Sequence, residues 1–377
     1  MRVALVYNQK KEDAAQHFIP GDASEPSTLG SNEPETTLLQ TDVLPSIDHT
    51  TDLYAEWDTA ETINAVKSAL AELHDVVLIE ADDDAFERLR SEQPEMVFNI
   101  AEGLYGASRE AQVPAMLEML QIPYTGSDPL TLAICLDKSR TKEVLTYYHI
   151  PTPLFNVVSN FLELDHVTTH FPCIVKPLHE GSSKGIYNSS LVTNRIELKR
   201  EVGTVLERYN EPALVEEFLS GREFTVAMLG NADDVKVLPI VEIKFDSLPA
   251  GVNHIYSYEA KWIWDRSDAP LDIFECPATI SSQLQHEIET ICRRAYNILR
   301  CRDWCRIDVR LDTHGIPHII ELNPLPGILP NPEDNSCFPK SARAAGIGYK
   351  QLIQTVLAFA AKRYGLLDYY PADSSTQ

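Results

Sequence analysis

Residues 301–324, CRDWCRIDVRLDTHGIPHIIELNP, set acidic and basic side chains at strand spacing. In the first half Arg306, Asp308 and Arg310 share one face, and Ile307, Val309 and Leu311 share the other. In the second half Glu321 and Asn323 share a face. If the halves pair symmetrically about the turn 312–317, Asp308 stands opposite Glu321 and Arg306 opposite Asn323. Directly opposed like charges destabilise a hairpin unless something compensates. A hard divalent cation would do so, because Mg²⁺ prefers carboxylate and carbonyl oxygens. A solvated face of alternating charge fits the pattern equally well. It leaves unexplained why Asn323 runs into Pro324-Leu325-Pro326-Gly327, a turn that fixes the strand's end.

Three other segments could handle phosphate or nucleotide. In IVKPLHEGSSKGI a strand delivers Lys176, and Gly181, Ser182, Ser183 and Gly185 follow with many free N–H groups, a means of wrapping a polyphosphate. The G-x-x-x-x-G-K-[ST] spacing of a Walker-type loop is absent, and an ordinary turn is the commoner meaning of such a loop. In ALVEEFLSGREFTV, Glu216 to Leu219 could offer backbone groups to a purine edge, with Glu223 on ribose hydroxyls; an edge strand with solvated glutamates is the plainer reading. Lys138 opens a helix in LDKSRTKEVL, and Lys261 lies in YSYEAKWIW, read here as an aromatic strand. Each lysine could clamp a phosphate or simply snorkel.

The elements that must position these residues alternate. Apolar runs at 2–7, 76–79, 96–100 and 122–124 read as strands, and helical spacing appears at 59–73, 85–89 and 110–120. Such alternation implies a parallel α/β sheet. Residues 129–150 read as one helix, 171–177 and 214–219 as strands, and 223–229 with 235–243 as an antiparallel pair. Helices follow at 282–299 and 347–362, and 373–377 reads as a frayed tail.

The chain has 377 residues and a net charge of −24, from 32 basic and 56 acidic residues. That charge argues against a nucleic-acid or anionic-membrane surface. No apolar run approaches the roughly 18 residues of a membrane span. The acid is concentrated: between Glu12 and Val66 there are twelve Asp or Glu and no Lys or Arg. The part at 16–54 is also rich in Pro, Ser, Thr and Gly and reads as a loop. The seven cysteines, at 135, 173, 276, 292, 301, 305 and 337, lack zinc spacing and read as reduced core residues of a cytoplasmic protein.

The order of these pieces resembles the ATP-grasp superfamily, and within it the D-alanine–D-alanine ligase family. The resemblance covers residues 96–362 and rests on IPYTGSDPLTLAICLDKSRTKEVL, KPLHEGSSKGI, VEEFLSGREFTV, YSYEAKW, CRIDVRLD, IIELNPLPG and FPKSARAAGIGY. It implies an N-terminal α/β domain (1–126), a central ATP-grasp subdomain (127–220) and a C-terminal one (221–377). It also implies ATP with two Mg²⁺ ions (or Mn²⁺), small amino acid or peptide substrates, and a homodimer. Lys138 and Lys176 match lysines that hold ATP phosphates, and Lys261 the γ-phosphate lysine. Ser182 and Ser183 match the loop that closes over them. Glu216, Glu217, Phe218 and Leu219 match the adenine hinge, and Glu223 the ribose carboxylate. Asp308, Glu321 and Asn323 match the metal ligands, and Arg306 the arginine that stabilises the tetrahedral oxyanion.

Departures from the pattern fall at the substrate end. The family's glycine-rich first turn is replaced by the acidic loop; Glu56, or alternatively Asp58, stands nearest its amine-binding glutamate. A His-Gly pair becomes Glu102-Gly103. Of a Glu–Ser–Tyr triad only Ser182 remains, with Ala107 (Glu110 nearby) and Trp262 in the other places. Ser336 matches the substrate-carboxylate serine, preceded by extra residues in PNPEDN. The resemblance therefore implies ATP-dependent carboxylate–amine ligation, and leaves D-alanine open against another amino acid, peptide or amine. A nucleotide-binding regulator without turnover fits less well, since a mere binder has no use for Arg306 as an oxyanion donor.

Overall fold

The computed structural model of the protein describes residues 1–10, 54–265 and 271–366. The acidic loop 16–54, apart from Tyr54, and the tail 373–377 lie outside the described residues.

In the N-terminal part, β1 (Arg2–Tyr7), α1 (Ala60–Ala71), β2 (Asp75–Glu80), α2 (Ala85–Glu92) and β3 (Met96–Asn99) alternate as expected. The strands form a parallel sheet in the order β2-β1-β3. Thr59 caps α1, its hydroxyl accepting the Thr62 N–H. A single turn of 3₁₀ helix, Arg109–Ala111, leads into α3 (Gln112–Leu120). Residues 122–124, read above as a strand, make only a bridge at Tyr124 beside Val97. Pro123 has no N–H to extend a ladder.

The helix expected over 129–150 is two helices. α4 (Pro129–Leu136) stops at Asp137, whose extended backbone begins α5 (Lys138–Tyr147). Asp137 Oδ1 accepts the N–H groups of Ser139 and Arg140, so Lys138 stands in the first turn of a freshly capped helix.

The central part is an antiparallel sheet of β4 (Phe155–Val158), β5 (Cys173–Pro177), β6 (Leu191–Val192) and β7 (Ala213–Glu217), ordered β4-β7-β5-β6. α6 (Arg195–Arg208) buries Leu198, Val202 and Val205 against it.

The third sheet, ordered β11-β10-β8-β12-β13 with β9 beside β8, contains β8 (Glu223–Leu229), β9 (Lys236–Val237), β10 (Val241–Ile243), β11 (Phe274–Glu275), β12 (Trp304–Leu311) and β13 (Pro317–Asn323). The single strand expected over 235–243 is split around Pro239 into β9 and β10, both antiparallel to β8. α7 (Ser282–Ile298) covers this sheet through Ile288, Ile291, Cys292 and Ala295. α8 (Cys337–Ala344) and α9 (Tyr349–Arg363) close the chain.

Trp304, fully buried, joins the first and third sheets. Its ring meets Phe98 edge-on at 5.6 Å and Phe338 at 5.9 Å. A polar clasp lies beside it: Asp303 accepts the Gly126 N–H at 2.8 Å and pairs with Arg363 at 2.8 Å.

Candidate active site

The hairpin β12–β13 pairs in the expected register, Arg306 against Asn323 and Asp308 against Glu321. A bulge follows Asp308 and shifts the remaining pairs by one residue. The polar face of this hairpin opens into a cleft of about 260 Å³. Arg306 lies 3.0 Å from Asp308 and 3.9 Å from Glu321. The Asn323 amide nitrogen is 3.3 Å from Asp308 Oδ2 and 3.4 Å from Glu321 Oε1, so three oxygen-bearing side chains converge. Burial pushes the Asp308 carboxyl up. Burial opposes charge on Glu321 too, but Lys138, Lys176 and Arg306 hold it down at about 2. Among the described residues no group of three or more His, Cys, Asp or Glu is gathered for a metal. The set here is two carboxylates and an amide, all hard donors suited to Mg²⁺.

Lysines face this hairpin. Lys138 Nζ is 3.8 Å from Glu321 and donates to the Glu180 carbonyl at 2.5 Å. Lys176, on β5, is 3.2 Å from Glu216, which reaches Lys142 at 2.7 Å in an ion pair off the line of a directed hydrogen bond. All three side chains of that trio are buried. Burial opposes the Glu216 charge, but the two lysines hold its carboxyl below the usual range. Burial pushes Lys142 down to about 8. Lys142 also donates to the Ile320 carbonyl at 3.0 Å, tying α5 to β13. Nothing about Lys142 as a sequence position separates it from an ordinary helix-surface lysine.

Lys261 does not lie in a strand. It sits in a π-helical turn, Glu259–Trp264, where its N–H meets the Ser257 carbonyl and the Ser257 hydroxyl accepts the Ala260 N–H. Burial, then the nearby Arg306, pushes Lys261 down to about 8.

The loop after β5 turns through left-handed backbone at Ser182, Ser183 and Gly185, with φ of 51°, 60° and 73°. A Cβ at Gly185 would stand 2.3 Å from Pro177 Cγ, so both its φ and the space demand glycine. The Ser183 hydroxyl donates to the Tyr256 carbonyl at 2.8 Å, and Trp262 Nε1 donates to the Ser182 carbonyl at 3.1 Å. Trp262 thus reaches Ser182 through backbone, and Ser182 lines the cleft.

At the far end of the cleft, Glu216, Glu217, Phe218, Leu219 and Glu223 line the wall. Glu223 pairs with Arg310 at 2.6 Å, and Arg310 stacks over Phe218 at 4.7 Å. Ser336, the residue before α8, accepts the Leu329 N–H at 3.2 Å and donates to the Gly327 carbonyl at 3.3 Å, pinning that turn.

An inner cavity of about 90 Å³ adjoins the cleft. Glu56, Asp58, Glu102 and Glu110 line it with Lys138, Lys261 and Arg306. Glu56 Oε2 pairs with Arg109 at 2.7 Å, and its Oε1 accepts the Gly181 N–H at 2.7 Å. Burial, reinforced by neighbouring carboxylates, pushes Glu102 well above the carboxylate range and Glu110 up to about 8. Burial alone pushes Asp58 up to about 7. Arg109 and Glu180, both absent from the sequence reading, carry much of this region's pairing.

Comparison with known proteins identifies the family. A family model described as the D-ala D-ala ligase C-terminus matches residues 156–358. The protein y4sG of Sinorhizobium fredii, itself uncharacterised, is 35% identical over 317 residues, covering 82% of this chain and 90% of its own. The D-alanine–D-alanine ligase of Bordetella pertussis is 35% identical over 269 residues, 71% of this chain and 78% of its own. The crystal structure of a D-alanine–D-alanine ligase from Bacillus anthracis complexed with ATP superposes with a TM-score of 0.66 at 23% identity, covering 97% of this chain and 99% of that one. That likeness shows the fold, ATP-grasp. With a family model over more than half its length and a ligase relative 35% identical over more than two thirds of both chains, the chain belongs to the D-alanine–D-alanine ligase family and is an ATP-dependent carbon–nitrogen ligase.

Proposed function

We propose that the protein activates the carboxylate of a small amino acid or peptide as an acyl phosphate, with Mg²⁺, and joins it to an amine. One observation carries this reading: the Arg306, Asp308, Glu321 and Asn323 face of one hairpin lines, with Lys138, Lys176 and Lys261, the cleft and the inner cavity that adjoins it. Asp308, Glu321 and Asn323 would hold the metal, which when bound would neutralise charge on the transferring phosphoryl group. Lys138, Lys176 and Lys261 bind the phosphates. The hinge at 216–219 takes the adenine and Glu223, steadied by Arg310, the ribose. The Ser182–Ser183 loop covers the phosphates. Once the amine attacks the acyl carbon, Arg306 stabilises the oxyanion that develops. The seven cysteines are all free, as in a reducing compartment, which supports a cytoplasmic enzyme. No described helix is long and apolar enough to cross a membrane.

A second reading concerns the substrate. Asp58, Glu102 and Glu110 accept no side-chain hydrogen bond and form no ion pair among the described residues, yet all line the inner cavity. Half-buried carboxylates without a partner favour a cation, so this end suits an amino acid with an additional amine better than D-alanine. The test is phosphate release from ATP and Mg²⁺ with a panel of D- and L-amino acids, diamino acids included. Release with one of them identifies the carboxylate substrate. Silence across monoamino and diamino members alike contradicts the reading.

A further inference from the structure

We infer that Arg109 fastens the phosphate loop, residues 180–186, to the N-terminal α/β unit, and that this latch keeps water from the acyl phosphate. The inference rests on the ligase reading above. Arg109 is 6% exposed and sits on its own 3₁₀ turn. Its Nη2 lies 2.7 Å from Glu56 and 3.1 Å from Glu180. Glu56 bonds onward to the Gly181 N–H, and Glu180 onward to Lys184 at 3.0 Å. Through the Glu180 carbonyl the same loop meets Lys138. The guanidinium therefore joins the segments at Glu56 and at Glu180, far apart in sequence, to its own 3₁₀ turn.

Two glycines permit the convergence. A Cβ at Gly181 would stand 2.5 Å from Glu56 Oε1, and one at Gly103, where φ is +73°, would stand 2.8 Å from the Arg109 carbonyl. Among the described residues, the opposite side of the loop is held by neutral bonds to backbone carbonyls, from Trp262 Nε1 to Ser182, from the Ser183 hydroxyl to Tyr256 and from the Tyr258 N–H to Ile186 at 2.7 Å. The ionic side is thus the stronger fastening, since charge-assisted bonds between buried groups exceed neutral ones. Without Arg109, Glu56 would lose its cation and Glu180 would keep only Lys184, which belongs to the same loop, so no ion pair would bind the loop to the N-terminal unit.

An open loop has a chemical consequence. Water adds to the acyl carbon, the C–O bond to phosphate breaks, and carboxylate, phosphate and a proton leave without any amine being joined. Arg109 touches no reacting atom in this account; it is a positioning residue. It also occupies Glu56, so both Glu56 carboxylate oxygens serve the loop.

The experiment compares wild type with Arg109→Met, Arg109→Lys, Glu180→Ala and Gly181→Ala. Hydrogen exchange of a peptide spanning 180–186 is read against β12, and phosphate released is counted per ligated product. The latch predicts loop exchange about tenfold faster in Met and both Ala variants, with β12 unchanged. It also predicts a phosphate-to-product ratio rising above that of wild type, with Arg109→Lys partly restored. Should Arg109→Met fail to fold, the two Ala variants decide. Unchanged loop exchange in both, or a wild-type ratio despite faster exchange, overturns the inference. Loop exchange needs no substrate, so a wild type that ligates nothing would sink the ligase reading while the latch was still decided.

Discussion

The Lys142–Glu216–Lys176 trio shows how single residues govern this site. Glu216 is buried between two lysines, and its charge keeps both of theirs tolerable at that depth. Lys142 reaches the hinge strand, β13 and Thr152 at once. Replacing it with methionine removes one partner of a buried pair and leaves Glu216 to Lys176 alone. Losses of this kind cost about 3–5 kcal/mol. Lys142→Met should therefore lower the urea midpoint clearly. It should also raise KM for ATP more than it lowers kcat, because Glu216 and Lys176 line the cleft proposed for the nucleotide, whereas Lys142 meets β13 only at the Ile320 backbone carbonyl. Steady-state kinetics with varied ATP check the split.

Among the elements, the β5–loop junction depends on His179. Burial disfavours its charge, but hydrogen bonds with Asp137 and Glu211 outweigh burial and raise it to about 9. A histidine whose folded pKa is raised stabilises most below its unfolded pKa of about 6.5, and that stability fades as pH rises through about 9. Wild type should thus exceed His179→Gln in unfolding midpoint below about pH 6.5, with the gap closing above about pH 9. Element identity was largely legible in the sequence where one period dominated, as in β1, α1 and the β12–β13 hairpin. It failed where a cap or a hydroxyl decided. Asp137 divides one apolar stretch into two helices, and Ser257 turns an apparent strand at Lys261 into a π-helical turn. β4, α6 and α8 went unread: β4 and α6 carry mixed polar runs with no clean alternation, and α8 is short, with Pro339 inside it.

Across the whole molecule, Trp304 and the Asp303–Arg363 clasp bind the first sheet to the third, setting Glu56 and Arg109 against the loop and hairpin. The hairpin face was readable because two strands of period two encode it locally. The substrate end was not, because Arg109 meets Glu56 and Glu180 across 53 and 71 residues, and Glu56 meets Gly181 across 125. No local spacing announces such meetings. The central claim is that this assembly forms an acyl phosphate and hands it to an amine. Trapping with hydroxylamine tests that most directly: the protein, ATP, Mg²⁺ and the carboxylate substrate are mixed without the natural amine, and hydroxamate is measured. The account predicts ATP-dependent hydroxamate from wild type, reduced roughly 10²–10³-fold in Arg306→Ala with ATP binding retained. Phosphate release without hydroxamate, or near-normal hydroxamate from Arg306→Ala, would contradict it.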